Sequence, residues 1–217
     1  MPREPRERIL DPIARASEVL FGVIMALTFT GSLSVATADR AEVRTLLIGV
    51  IGCNLAWGLV DAVMYLMSSL TERGNNLLAV RAVRSAVSPD AAYQAITDAI
   101  PPILVPMLRR EDLERMRQGL IQMDDLPAAP SLTKEHWLGA LGVFLLVFLS
   151  TFPIVIPFLL FQNVRFALRL SNLVALAMLF VIGSWLARHG GHHPLRTGLS
   201  MMLLGVVLVA ITIALGG

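Results

Sequence analysis

Five long apolar segments dominate the pattern of hydrophobic and polar positions along this chain of 217 residues. A helix that spans a bilayer needs about 20 mostly apolar residues, because the hydrocarbon core is about 30 Å thick and each residue rises about 1.5 Å. The segments are close to that length and cover residues 17–37, 45–70, 137–161, 166–187 and 199–215. The pattern therefore predicts an all-α integral membrane protein with five transmembrane helices.

The polar stretches between these segments divide the chain into four parts. Residues 1–16 form a cytoplasmic N-terminal tail, residues 17–70 the first two spans, residues 71–136 a cytoplasmic helical insert, and residues 137–217 the last three spans. Within the insert we expect helical segments over residues 75–87, 91–100 and 109–123. Ser88 followed by Pro89 is typical of a helix start, because serine caps the first turn and proline is tolerated there.

The distribution of basic residues predicts the orientation of the chain. Fourteen of the 18 lysines and arginines lie in the tail, the insert and the turn between spans four and five, all on one side of the membrane. By the positive-inside rule this side is cytoplasmic, which leaves the C-terminus outside. We expect a multi-pass protein of the bacterial inner membrane. The net charge of +2 reflects topology, and nucleic acid is not an expected partner.

A few polar side chains lie inside the apolar segments, where ionisable groups are costly and usually functional. Glu18 lies at the start of span one, and Asp61 lies about 13 Å deep in span two. Asn54 and Met64 share the Asp61 face, and Met25 shares the Glu18 face. Carboxylate, amide and thioether ligands together suit first-row divalent metals, so these five residues form our candidate metal site.

Each of these residues also has a structural interpretation. Glu18 is also consistent with an interfacial charge, Asp61 with a polar hydrogen bond between helices, and the methionines with packing. Cys53, the only cysteine, is expected to be a buried packing residue. The turn with His189, His192 and His193 is expected to be a loop, with a metal site as the less favoured alternative.

Two proline positions and one C-terminal motif carry a family resemblance. Pro153 and Pro157 are expected to break the hydrogen-bond ladder of span three, which frees carbonyls that need other partners. The run His193-Pro194-Leu195-Arg196-Thr197-Gly198, with Gly205 seven residues later, resembles the C-terminal signature of vacuolar iron transporter-type proteins. The paired prolines, the five-span layout and the helical insert are similar to that family as well. The resemblance implies transport of iron or manganese by a symmetric dimer.

The chain departs from the family pattern where the chemistry is expected. The family's first helix carries aspartate followed by glycine, whereas this chain has Glu18-Val19; Asp61-Ala62 stands where the family has a serine-methionine pair. The family's insert often clusters glutamates, whereas the four here are scattered among basic residues. We therefore expect this insert to bind metal poorly.

Two functions remain open on this basis. The first is transport of a divalent metal cation, iron or manganese, in exchange for protons, by a homodimer in the lipid bilayer without a resident cofactor. Metal binding to carboxylates releases protons, which gives the exchange a chemical basis. Small residues at Gly22, Ala26, Gly52 and Ala56 favour spans one and two as the subunit interface. The alternative is a non-transporting membrane scaffold or partner-binding protein. An enzyme is not expected, because the sequence has neither an HExxH motif nor a nucleophile elbow.

Overall fold

The computed structural model describes residues 12–31, 40–123 and 126–214. These residues form helices and connecting turns, with no strand among them. The α-helices in chain order are α1 (Pro12–Gly31), α2 (Arg40–Arg84), α3 (Pro89–Asp98), α4 (Arg110–Ile121), α5 (Lys134–Ser150), α6 (Phe152–Leu160), α7 (Val164–His189) and α8 (Pro194–Ala214). A short 3-10 turn, Val105–Met107, lies between α3 and α4.

Four helical stretches are long and apolar enough to cross a bilayer. They are Ala41–Arg84, Lys134–Leu160, Val164–His189 and Pro194–Ala214, and α1 contributes a shorter apolar stretch, Ala16–Thr30. The predicted all-helical membrane class is therefore confirmed at this level. The count of five spans stays a prediction, because the expected end of span one, residues 32–37, lies outside the described residues, as does most of the predicted tail (residues 1–11).

Helix α2 continues from the second apolar segment into the insert as one helix of 45 residues. The sequence suggested a separate insert helix from residue 75. The polar stretch between residues 71 and 76 contains Gly74 but no proline. A single glycine costs a helix only about 1 kcal/mol relative to alanine. The boundary at residue 70 is thus a change of polarity within a helix.

The chain packs as two compact units, one containing residues 1–65 and 137–217 and the other residues 66–136. In the first unit, α7 packs along α8 and α1, and α6 packs on α7. Its core is apolar and draws on four helices. Val23, Val50, Ile154 and Leu179, from α1, α2, α6 and α7, are completely buried. This unit holds the apolar helices and, with them, the candidate metal site.

Glycines let α7 and α8 approach closely. A Cβ atom added to Gly198 of α8 would lie 2.9 Å from the carbonyl oxygen of Phe180 in α7. One added to Gly183 of α7 would lie 3.1 Å from the carbonyl oxygen of Thr197. Small residues at such contacts are how membrane helices gain van der Waals packing without a hydrophobic driving force.

In the second unit, α3 and α4 pack around a small apolar cluster that includes Val83, Ala92 and Ile96. The expected start of α3 is confirmed: the Ser88 hydroxyl accepts a hydrogen bond from the backbone N–H of Ala91 at 3.3 Å, and Pro89 is the first helical residue. The proline pair at 101–102 separates α3 from α4, as expected.

Arginines of α2 contact the last turn of α4 and the chain that follows it. Arg84 donates to the carbonyl oxygen of Leu120 at 2.9 Å, Arg81 to that of Ala128 at 2.6 Å, and Arg73 to that of Ser131 at 3.1 Å. A proline-containing linker has few backbone partners of its own, so these side chains satisfy its carbonyls. Three of the insert's basic residues therefore have a structural role.

We expect Gly198→Val to destabilise the protein, because the new side chain meets the α7 backbone, which cannot move aside. The free energy of unfolding in detergent should fall by about 1–3 kcal/mol, the usual cost of overpacking. Gly49→Val is the matched control, since a Cβ atom there has nothing within 4 Å, and should change stability by no more than about 0.5 kcal/mol. Equal losses in both variants would contradict the proposed close packing.

Candidate metal site

Two carboxyl groups meet between α1 and α2. The Glu18 and Asp61 side chains lie within hydrogen-bonding reach of each other. Because a carboxylate only accepts hydrogen bonds, a hydrogen bond between them forms only when one of the two carries a proton. Their other oxygens, Glu18 Oε2 and Asp61 Oδ2, are buried and have no hydrogen-bond partner among the described residues. Buried oxygens without partners are costly, and a bound cation would satisfy them.

Asn54 lies two turns from Asp61 on α2 and is fully buried. Its amide nitrogen donates to the carbonyl oxygens of Val147 and Phe148, at 2.9 and 3.3 Å, and to the Thr151 hydroxyl at 3.0 Å. The acceptors fix the orientation of the amide, because only its nitrogen can donate. Its oxygen Oδ1 is left buried and without a partner among the described residues.

The acceptors of Asn54 lie at the expected break in span three. Helix α5 ends at Ser150 and α6 begins at Phe152, so the interruption predicted at Pro153 is confirmed. Pro157 lies inside α6 and does not end that helix. Proline has no N–H to donate, and the carbonyls one turn earlier need other donors. The Ser150 and Thr151 hydroxyls donate to the Val147 and Phe148 carbonyl oxygens from within the break. Asn54 adds donors to both from another helix.

Gly22 of α1 leaves room at this contact. A Cβ atom at Gly22 would overlap the Ser150 hydroxyl and would lie 3.3 Å from the Val147 carbonyl oxygen and 3.6 Å from Asn54 Oδ1. The position therefore requires the absence of a side chain. Gly22 lies one turn from Glu18, so the polar contacts of the two carboxyls and of Asn54 follow one face of α1.

The sulfur side chains lie apart from the carboxyl pair. Met25 Sδ contacts Cys53 Sγ at 3.4 Å. Residue 18 thus faces residue 61 while residue 25 faces residue 53, so α1 and α2 are antiparallel. Met25 lies about 10 Å along the helix from Glu18. Met64, one turn from Asp61, is 55% exposed on the surface of the chain.

The expectation that Cys53 is buried was wrong. Its side chain is exposed on α2 and makes the contact with Met25. Cysteine is usually buried in soluble proteins, but in a membrane helix an exposed surface faces lipid or another chain, so exposure carries no hydration cost for an apolar thiol. Burial within one chain was therefore the wrong inference from an apolar position.

Within the described residues, no group of three or more histidine, cysteine, aspartate or glutamate side chains is positioned to hold a metal ion. Of these four residue types, the carboxyl contact in the candidate site brings together two residues, Glu18 and Asp61. The histidine turn has its own contacts: His189 Nδ1 lies 3.0 Å from the carbonyl oxygen of Trp185, and its ring contacts the Trp185 indole with the two planes tilted by 42°. These contacts account for His189 without a ligand.

A family comparison bears on this arrangement. A model of the VIT family matches residues 85–217, more than half of the chain. The chain belongs to the VIT family. No curated protein matches it. Membership in the VIT family implies transport of metal ions across a membrane, and the family is one of transporters rather than enzymes. The predicted family resemblance is confirmed.

The family match begins after the residues of the candidate site. Glu18, Asn54 and Asp61 all precede residue 85, whereas the α5–α6 break and α8 lie within the matched range. The match therefore identifies the class of this VIT-family protein and assigns no role to its carboxyl pair.

The sequence analysis did not identify the polar residues Ser150 and Thr151 as part of the site, although a Ser-Thr pair directly before Phe-Pro in an apolar segment is a usable signal.

Three carboxylates in the described part of the insert of this VIT-family chain are paired with arginines. Glu114 accepts hydrogen bonds from both Arg117 Nε and Nη2 at 2.7 Å, from Tyr93 at 2.8 Å and from Gln118 at 2.9 Å. The Arg117 hydrogen bonds, followed by those of Tyr93 and Gln118, lower the pKa of Glu114 to about 2. Asp90 pairs with Arg110, and Asp112 with Arg115. Such carboxylates already have partners that a metal ion would have to displace.

The Glu114 contacts predict a pH dependence in the acid range. They favour the ionised form, so their stabilising effect is present above the ordinary pKa of 4.5 and is lost as pH falls through about 2. We expect the Glu114 carboxyl carbon, followed by ¹³C NMR in glutamate-labelled protein and assigned with Glu114→Gln, to titrate near pH 2. Arg117→Gln should raise the pKa towards 4.5, whereas Arg115→Gln should leave it unchanged. A wild-type midpoint near 4.5 would disprove the pairing.

Proposed function

We propose that this protein transports a divalent metal cation, iron or manganese, across the bilayer in exchange for protons. The observation that supports this proposal is the contact between Glu18 and Asp61, each with a buried carboxyl oxygen that lacks a partner among the described residues. Two carboxyls in an apolar helix pair are costly to keep for packing alone. They are, however, a suitable binding group for a dication that passes between the helices.

The chemistry of the pair supports the coupling to protons. Two carboxyls in contact can share one proton when no cation is bound, because a hydrogen bond between them requires one. A divalent cation binds the deprotonated oxygens and therefore releases that proton. The Asn54 oxygen, held by the α5–α6 break, offers a neutral oxygen ligand two turns further along α2. Met25 and Met64 offer softer thioether ligands at other levels of the helix pair, apart from the contact between the two carboxyls.

The same contact argues against the scaffold alternative. A structural Asp61 would be expected to hydrogen-bond to one neutral polar side chain, such as Asn54. Asp61 instead contacts a second carboxyl, and the donors of Asn54 are used at the α5–α6 break. Two acids in contact destabilise a scaffold more than an acid and an amide would. The pair is therefore better explained as a site for an ion.

We further propose that the protein is a homodimer with five spans, an N-terminus in the cytoplasm and α1 and α2 at the subunit interface. The exposed surface of α2 is apolar and includes Leu59 and Val63, both 54% exposed. Of the small residues that suggested this interface, Gly22 and Ala26 are buried inside the chain, whereas Gly52 and Ala56 are exposed on α2. The proposed contact therefore relies on α2 more than on α1.

Asp61→Asn should abolish metal flux while the protein still folds, because asparagine keeps the shape of the side chain but cannot ionise. Uptake of iron or manganese by reconstituted vesicles under an imposed pH gradient should fall to the level of protein-free vesicles. Glu18→Gln, which lies nearer the end of its helix where water can replace a ligand, should lose about tenfold. Asp98→Asn, an exposed carboxylate of α3, is the control and should transport like the wild type. Wild-type flux from Asp61→Asn would favour the scaffold.

Cysteine crosslinking tests the interface. In a Cys53→Ser background, Leu59→Cys on the exposed face of α2 should give a covalent dimer on oxidation, because two such positions meet across a two-fold axis. Leu203→Cys, an equally exposed position on α8, is the control and should stay monomeric. Monomers from every exposed position of α2 would rule out this interface without touching the transport proposal.

A further inference from the structure

A groove with a volume of about 500 Å³ lies between the first turns of α2, helix α6 and the start of α7. The candidate metal site does not use it, since none of its residues lines the groove. Most lining side chains are apolar, among them Leu47, Ile51 and Ile156. The volume falls within the range of about 300–1,000 Å³ that is typical of small-molecule sites. The groove lies among helices that cross the bilayer, so its occupant comes from an apolar environment.

The residues that line the groove are spread along the helix axes. On α2 its lining runs from Arg44 to Ile51, about 10 Å by helical rise. On α6 it runs from Phe152 to Leu160, and Val155 and Leu159 lie on one face of that helix. An apolar lining that extends this far along the helices suits a hydrocarbon chain.

Positive charge lies at one end of this groove. Arg44 is the one charged residue among those that line it, and it forms no ion pair with any described residue. Gln162, in the turn between α6 and α7, brings an amide to the same lining. The first turn of α7 contains no acidic residue and carries Arg165. A guanidinium beside an apolar groove matches a phosphate with an attached acyl chain.

We propose that this groove binds an anionic phospholipid, with its phosphate on Arg44 and Gln162 and an acyl chain along the apolar walls. The lipid fills a space that would otherwise leave the Phe152–Leu160 helix without contacts on one side. It also satisfies an arginine near the membrane surface, where an unpaired guanidinium otherwise depends on water.

Native mass spectrometry of the detergent-solubilised protein tests the charge recognition. Phosphatidylglycerol should bind about tenfold more tightly than phosphatidylcholine with the same acyl chains, because it lacks the compensating positive charge. Arg44→Gln should remove this preference, and Arg44→Lys should retain part of it. Arg188→Gln, an exposed arginine at the other end of α7, is the control and should bind like the wild type. Equal binding of both lipids to the wild type, or an unchanged preference in Arg44→Gln, would overturn the proposal.

A second variant tests the acyl-chain part of the groove. Leu159 lines it and is 70% exposed, so Leu159→Trp should fill the space without disturbing the fold. We expect it to bind phosphatidylglycerol at least about tenfold more weakly than Leu203→Trp, which adds the same ring on an exposed face of α8. If Leu159→Trp instead converts a dimer to a monomer and leaves lipid binding unchanged, the occupant is a second copy of the chain and the lipid proposal is wrong. Displacement of the lipid by millimolar glycerol phosphate would likewise count against a site for the acyl chain.

Discussion

The hydrogen bonds of Asn54 to the broken helix of span three are the constraint on which the arrangement of the membrane unit depends. In hydrocarbon, backbone groups without partners are costly, and a proline-induced break exposes several of them. Asn54 satisfies the Val147 and Phe148 carbonyls and the Thr151 hydroxyl from a different helix. This fixes the rotation of α2 against α5 and α6. Because Asp61 lies two turns from Asn54 on the same face, its direction is fixed as well.

The close approach of α1 follows from the same contact. Gly22 lies against the Ser150 hydroxyl and the Asn54 amide oxygen, and even one added carbon would overlap there. This proximity places Glu18, one turn away, against Asp61. A packing requirement at one level of the bundle therefore produces a pair of carboxyls at another. The carboxyl pair does not need to supply the energy that holds the helices together, because the apolar core of Val23, Val50 and Leu179 and the Asn54 contacts already do so.

Hydropathy and proline positions were sufficient to predict the helical membrane class, the break before Pro153 and the capped start of α3. Long apolar runs and missing N–H groups are local properties of the sequence, so their effects can be read without a structure. The continuity of α2 through residue 70 was less accessible, because polarity changes along a helix without ending it. The exposure of Cys53 depends on which face of α2 is covered by other helices. The sequence of one apolar segment does not show which face that is.

The contacts within the candidate site were also harder to predict from the sequence than the helices that carry it. Their depth in the apolar segments identified Glu18, Asp61 and Asn54 as candidate ligands. From this we predicted that they belong to one ligand set. In the structure Glu18 and Asp61 contact each other, Asn54 donates to α5 and Thr151, and Met25 contacts Cys53. Helical spacing gives the face of a residue but not which of its neighbours are close enough to share one ion. Pairing between α1 and α2 depends on their relative shift along the axis, which the Gly22 contact sets.

The family match and the candidate site are connected through this same polar contact. The matched range, residues 85–217, includes the break between α5 and α6, whereas the carboxyl pair lies before it. At the break, the Ser150 hydroxyl donates to the Val147 carbonyl oxygen at 2.6 Å and the Thr151 hydroxyl to that of Phe148 at 3.0 Å. These carbonyl oxygens accept a further hydrogen bond from outside α5 and α6. In this chain α2 supplies the donor from Asn54. The hydrogen bonds of Asn54 therefore connect the family-matched part of the chain to α2, and α2 also carries Asp61, which contacts Glu18.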